Sequence, residues 1–419
     1  MKAMSKQFLN VSLLAFFFLA LFFNDGYIYR LFFFAGVIPG VLWSFKKYGF
    51  SDCLKSTPAV FLASFIFYLS FNSFFVSEAG WESKFDQLRW GIELLFLSAA
   101  VILSSRCWLY SPRIYGRLFL MAVLAGGLYT LGIYIVQDDF LVRLSGNGFL
   151  SHPIQGPSTL LVLWSIGFGL YITPSQSPVR FLDHFLLFLS GVTIFFMALL
   201  SQSRGPVAAA LVVFAFSLGA LYIFTPAVRR WIIFGVAIVF GFGLYFLLFQ
   251  DWLIDMLTAR KLSYRPEIWS AVINNLKDHW LIGVGTATKF SDTVPGIVAK
   301  KNTGFIFDHA HNIFLQVWLS GGVLALFMLL GALASMIRKL FTMEVRLKRQ
   351  PVFAGSAVLI VFFMVNLTDT AIPISAPRPD WVLFWLPLLF VTSLVSCQFG
   401  EKQGVWYSDE SAVRMNVTA

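Results

Sequence analysis

The chain has 419 residues, of which 58% are hydrophobic, 18% aromatic and only 12% charged. Soluble proteins carry about 25% charged residues, so this composition cannot cover a water-soluble globule and excludes a soluble enzyme, a disordered tail protein and a DNA-binding domain. The net charge of +10 then reads as a record of which side of a bilayer each loop occupies, rather than as a nucleic-acid footprint.

A helix needs about 20 mostly apolar residues to cross the hydrocarbon core. Twelve runs meet or approach that length, near 8–24, 27–45, 58–77, 90–104, 116–136, 157–173, 182–202, 206–225, 231–249, 312–337, 352–368 and 381–397. They are continuous rather than alternating, which excludes a porin-like barrel. Lys2 and Lys6 precede the first run, as in a signal peptide, but Phe22-Phe23-Asn24-Asp25 offers no small-residue cleavage site, so an uncleaved first helix is expected. With the N-terminus inside, the inside segments hold 18 bases and 6 acids and the outside segments 13 bases and 14 acids, with Glu93 left within a span. That bias predicts an all-α polytopic membrane protein over 1–419, with about twelve spans and both termini cytoplasmic. Cys53, Cys107 and Cys397 all fall on or near the inside, and read as free structural thiols.

Three segments break the pattern of short loops. The loop at about 137–156 is polar and turn-rich, and either closes over a substrate or simply connects helices. The segment at about 250–311 is long enough to be functional in its own right. Within it, Pro266 and Glu267 mark a helix start, and Ile268, Trp269, Val272, Ile273 and Leu276 recur at helical spacing, predicting an amphipathic helix on the outer membrane boundary. Gly283-Val284-Gly285 ends it as a turn; no preceding strand or further glycine supports a nucleotide loop. The tail at 400–419 is polar and too short for a domain.

Candidate chemistry gathers at the outer face. Arg204 sits in Ser201-Gln202-Ser203-Arg204-Gly205-Pro206 between two apolar runs, beside a helix start whose free N–H groups and positive dipole end favour an anion. Arg265, directly before Pro266, repeats the arrangement. Two such sites on one face favour a multiply charged anion such as a diphosphate. The competing readings are a snorkelling arginine and a solvated one. His311, in Asp308-His309-Ala310-His311-Asn312, suits a general base; a structural histidine is the bland alternative. His309 and His311 could share a metal, but no third ligand is evident and none is expected. Arg143 in the 137–156 loop and Asn312 are the further candidates for substrate contact. Glu93, the one acid inside an apolar run, either pairs with an arginine or marks a polar pathway. There is no Asp-x-Asp pair for a metal-held sugar donor and no P-loop, so no cofactor is expected.

The turn Ser201-Gln202-Ser203-Arg204-Gly205-Pro206 resembles the S/T-x-[ST]-R-[GA] turn of the O-antigen ligase and polymerase superfamily. Arg265-x-x-Ile268-Trp269 followed by Leu281-Ile282-Gly283-Val284-Gly285 resembles that superfamily's arginine and Gly-x-Gly loop. His311-Asn312-x-x-Leu315-Gln316 is similar to its His-Asn-x-x-Leu-Gln helix start. Gly322 stands at one of the glycine positions of the following helix, while Ser320 and Ala325 replace an acid and a second glycine. The resemblance implies glycosyl transfer at the periplasmic face of the bacterial inner membrane, inverting and free of metal or nucleotide. The donor it implies is a polysaccharide on undecaprenyl diphosphate, and the acceptor of a ligase is a sugar hydroxyl of lipid A-core. Arg204 and Arg265 would hold the donor diphosphate and His311 would orient or deprotonate the acceptor. A polymerase of the same superfamily is the alternative. A lipid or polysaccharide transporter fits less well, because almost no charge lines a central path.

Overall fold

The computed structural model describes residues 2–48, 51–137, 143–175, 178–225, 229, 264–346, 349–369, 372–400 and 405–407. Over these residues the chain is a helical bundle. The helices are α1 (Lys2–Ala20), α2 (Gly26–Phe32) continuing through a π turn at Phe33–Val37 into α3 (Ile38–Tyr48), and α4 (Ser51–Leu54). Next come α5 (Thr57–Val76), α6 (Trp81–Tyr110), α7 (Pro112–Val136), α8 (Gln155–Ile172), α9 (Phe181–Leu200) and α10 (Arg204–Phe224). After them follow α11 (Arg265–Asn275), α12 (Val294–Thr303), α13 (Ile313–Arg346), α14 (Gln350–Asn366) and α15 (Leu386–Ser396), the last entered through a π turn at Trp381–Trp385.

Seven of the helical stretches are long and apolar enough to cross a membrane, and Met4–Ala20, Gln350–Asn366 and Trp381–Ser396 are shorter apolar helices of the same bundle. The run expected at 157–173 is α8, whose side chains are buried from Gly156 to Ile172. It is wrapped by α7, α9, α10 and α14. A helix apolar on every side belongs at the centre of a bundle, and this one carries Ser158, Thr159 and Ser165 because protein, not lipid, surrounds it. The run expected at 231–249 lies outside the described residues. The others coincide with helices, giving a multi-pass membrane architecture.

Small residues set the closest approaches. A Cβ on Gly36, in the first π turn, would lie 2.7 Å from Ser12 Oγ on α1, and one on Gly127 of α7 would lie 2.3 Å from Thr193 Cγ2 on α9. Away from the functional loops, Arg117 at the start of α7 grips Asp183 on α9, with Nη2–Oδ2 at 3.0 Å. The three cysteines are unpaired with one another. In the tail, Gln398–Gly400 pairs antiparallel with Val405–Tyr407.

The segment 264–311 forms a small cap with its own core: Ile268, Ala271, Val272 and Leu276 pack with Phe290, Ala299, Ala310 and Leu319. The apolar stripe read in the sequence as membrane-facing is therefore turned largely onto protein, although Ile273 remains exposed. The Gly-x-Gly turn has a mechanical role. Helix α13 is broken at Gly322 (φ 67°, ψ −167°), and the loop fills the break: Val284 and Gly285 N–H donate to the Leu319 and Ser320 carbonyls, and Val323 N–H donates to Trp280 O. A Cβ on Gly322 would lie 2.2 Å from the Leu281 carbonyl carbon. Gly322→Ala should cost about 1–3 kcal/mol through backbone strain alone, with the clash added, read as a lowered thermal midpoint of the purified protein.

Candidate active site

The loops that join α7 to α8, α9 to α10, the cap to α13, and α14 to the final helix meet at one end of the bundle. Each is held by local chemistry. The α9–α10 turn passes through Gln202 at φ 50°. Arg143 braces it, its Nε 2.9 Å from Ser201 O and its Nη2 hydrogen-bonded to Ser203 Oγ. Arg204 is the first residue of α10, whose start carries no side-chain cap. A Cβ on Gly205 would lie 3.3 Å from Thr368 Oγ1, so this helix start abuts the segment that follows α14.

Arg265 opens α11 directly after Tyr264, which is left-handed at φ 56°. Two residues of that motif anchor it: Ile268 is fully buried, and Trp269 Nε1 donates to Ala310 O at 3.1 Å. Ala310 is the neighbour of His311, so one indole links the arginine motif to the histidine motif. His311 is itself left-handed, at φ 51°. Asn312 caps α13, its Oδ1 accepting from Phe314 and Leu315 N–H at 3.0 and 3.2 Å. Gln316 reaches back to accept from Ala310 N–H at 3.0 Å. The Asn and Gln of this motif thus hold the backbone that presents the histidine.

Among the described residues, Gln202, Tyr264 and His311 are the non-glycine residues with positive φ. Gln202 and His311 lie within two of the motifs singled out in the sequence, and Tyr264 directly precedes the third. Backbone strain of this kind costs roughly 1–3 kcal/mol per residue and persists where surrounding structure enforces it, commonly at functional sites.

The convergence point is Asp369, which the sequence reading did not single out. It is buried, and His311 Nδ1 lies 3.4 Å from its Oδ1. The His309 and His311 rings are 4.1 Å apart. Burial pushes the Asp369 carboxyl up, but the His311 contact and the charges of His309, His311 and His152 outweigh it and hold the carboxyl below its ordinary value. Burial lowers the pKa of Arg265, with the Asp369 charge opposing that shift. His152, at the start of α8, is lowered by burial, with Asp369 opposing and Arg143 assisting. His309 is pushed down to about 4, first by burial and then by the His311 charge, and it also feels Arg378. The site at neutral pH is therefore an ionised carboxylate facing neutral His309 and cationic Arg265.

The loop carrying Arg378 is lashed down by indoles: Trp381 Nε1 donates to Ser375 O at 3.0 Å and Trp385 Nε1 to Pro373 O at 2.7 Å. Arg378 pairs with buried Asp380. A stability prediction follows from His309. Its folded pKa lies below the unfolded value of about 6.5, so the unfolded chain takes up a proton first as pH falls, and the stabilisation present at neutral pH is lost on the way from about 6.5 to 4. Between pH 7 and 5 this amounts to on the order of 2 kcal/mol. His309→Asn should remove that part of the pH dependence of thermal unfolding.

Of the five site residues expected from sequence, His311 contacts Asp369 directly and Arg265 bears on it through its charge. Arg204 lies on the adjoining helix start, while Arg143 and Asn312 are engaged in bracing a turn and capping a helix. His309, His311 and Asp369 also place one ligand atom each within 4.8 Å of one another, so the third metal ligand not evident in the sequence is present in space. Arg265 and Arg378 bear on the same cluster, and their positive charges compete with a bound cation there.

Residues 189–330 match the family model described as O-Antigen ligase. Over 383 residues the chain is 23% identical to the O-antigen ligase of Pseudomonas aeruginosa, an alignment covering 87% of this chain and 85% of that protein. The family segment contains Arg204, Arg265, His309 and His311 and stops short of Asp369, while the relative spans nearly the whole bundle. Across residues 189–330, this chain is similar to the O-antigen ligase family.

Proposed function

We propose that the protein is an O-antigen ligase: a glycosyltransferase of the bacterial inner membrane, multi-pass with both termini cytoplasmic, working at its periplasmic face in lipopolysaccharide biosynthesis. The donor is a polysaccharide on undecaprenyl diphosphate and the acceptor a sugar hydroxyl of lipid A-core. The observation that carries this reading is the convergence of Arg265, His311, His309 and His152 on Asp369, beside the start of α10 that presents Arg204.

In this reading the whole chain, 1–419, is one membrane unit and 250–311 is its long periplasmic loop, of which 264–311 forms the cap and the residues before 264 lie outside those described. Asp369 lies 3.4 Å from Nδ1 of His311 and orients the ring electrostatically, which leaves Nε2 to take the proton from the acceptor hydroxyl. The hydroxyl oxygen attacks the anomeric carbon from the face opposite the diphosphate, so the configuration inverts. The bond from that carbon to the diphosphate oxygen breaks, and undecaprenyl diphosphate leaves with the electron pair. Arg204 and Arg265 meet the charge that develops on the leaving oxygens. Arg143 acts by bracing the Arg204 turn, and Asn312 by fixing the helix that presents His311.

The guanidinium groups supply the positive charge that a metal would otherwise provide. Transfer should therefore survive exhaustive chelation with full activity, measured on purified protein; loss on chelation with recovery on adding a divalent ion would make His309, His311 and Asp369 a metal site instead. Deletion of the gene separates a ligase from a polymerase. A ligase deletion leaves long lipid-linked polymer unattached to core, whereas a polymerase deletion leaves single repeat units on core, as read from lipopolysaccharide gels. The name of the Pseudomonas aeruginosa relative favours the first.

A further inference from the structure

Glu93, the one acid within an apolar run, opens onto a separate cavity. This cavity of about 520 Å3 lies between the α2–α3 helix, α6 and the loop before the final helix. Arg30, Phe34 and Ile38 form one wall at helical spacing, and Arg89, Glu93 and Phe96 form the other. Both walls run from charge to hydrocarbon with depth, starting from the same end of the bundle as the candidate active site. That gradient matches an amphiphile standing in a membrane, headgroup toward the site end and chains below.

The polar end has unmet hydrogen-bonding capacity. Glu93 is buried, its Oε1 is 3.8 Å from Arg89 Nε, and its Oε2 has no partner among the described residues; buried Arg30 Nε likewise has none. Such groups are costly unless something satisfies them. Arg89 is shared with Asp86, at 2.9 Å, so the charges nearly balance. A bare anion would meet Glu93 unfavourably. A headgroup that offers a phosphate to the arginines and a hydroxyl to the carboxylate satisfies both, and Trp90, with the Arg89 guanidinium 5.9 Å over its ring, adds an aromatic lining against which a sugar packs.

The cavity is one loop away from the active site. Ala376 and Pro377 line it, and Tyr29 Oη donates to Pro377 O at 3.4 Å. The next residue, Arg378, is the one whose charge reaches His309. We propose that this cavity binds a phosphorylated glycolipid of the outer leaflet, with Arg30 and Arg89 on the phosphate and Glu93 on a sugar hydroxyl, and so docks the lipid acceptor beside His311. Its identity as the acceptor rests on the ligase reading; the binding does not.

The test uses the full chain in phosphatidylcholine nanodiscs containing lipid A, with bound lipid counted by native mass spectrometry and no donor present. Lipid A should be enriched on the wild type, and Arg30→Gln/Arg89→Gln should bind it at least tenfold more weakly. Ile92→Trp narrows the same cavity from its lipid-exposed wall without removing a charge, and should also weaken binding if the double variant does not fold. Dephosphorylated lipid A should bind like phosphatidylcholine, and inorganic phosphate should not displace lipid A. Unchanged lipid A binding in the folded variants overturns the proposal, as does equal enrichment of phosphatidylethanolamine. Binding that is lost in the variants while the wild type transfers no glycan would sink the ligase reading and leave this one standing.

Discussion

Replacing His311 with alanine, or Asp369 with asparagine, should lower the transfer rate by about 10²–10⁴ while the protein still inserts and binds its lipid-linked donor. The two substitutions fail for different reasons. Alanine removes the group that takes the acceptor proton. Asparagine keeps the shape of the carboxylate, but its amide can donate to Nδ1, which moves the ring hydrogen to Nε2 and leaves no lone pair toward the acceptor. The loss should therefore appear in kcat, with donor KM changed by no more than a few-fold. A merely structural role for Asp369 would instead show as reduced folded protein with normal activity per folded molecule. Normal surface glycan in both variants would remove His311 and Asp369 from the mechanism.

Arg265→Ala should be of similar size, about 10²–10³ in kcat/KM, because a group placed against developing charge in a partly desolvated site acts mainly in the transition state. Arg265 Nε is buried without a hydrogen-bond partner among the described residues, so part of the guanidinium's donor capacity stays open inside the site. Arg265→Lys should recover little, since an ammonium cannot reproduce the planar two-donor contact to a diphosphate. Arg204→Ala should behave alike, and the pair should fall short of additivity if both clamp one diphosphate. Wild-type transfer by both alanine variants, in an assay with purified lipid-linked donor, would show that the diphosphate is held elsewhere.

Part of the candidate site lies in short local motifs. Arg204, Arg265 and His311 each sit in a short motif whose neighbours fix the local backbone, and the structure places a strained residue in or directly before each: Gln202, Tyr264 and His311 itself. Gly283-Val284-Gly285 read correctly as a turn, but its purpose, filling the break at Gly322, needed the partner strand of backbone thirty-odd residues away. Asp369 was missed because nothing beside it in sequence marks it; the available signal was an ionisable residue directly after an apolar run, at the same end as the other candidates. The amphipathic stripe of α11 was identified, but its cover could not be told from periodicity, since lipid and a small protein core select the same apolar residues.

What the sequence alone determined was the membrane class, the apolar runs that coincide with the described helices, and the motifs that the structure places at one end of the bundle. Hydropathy and charge act on each segment separately, so they can be read segment by segment. The tertiary structure alone decided which charges meet. His152, Arg265, His311 and Asp369 come from four separate segments, and their meeting is set by how α8, the cap, α13 and α14 pack together. The same packing brings Arg30 and Arg89 into one cavity with Glu93. No local pattern encodes these meetings, because each arises from helix crossings between residues far apart in the chain.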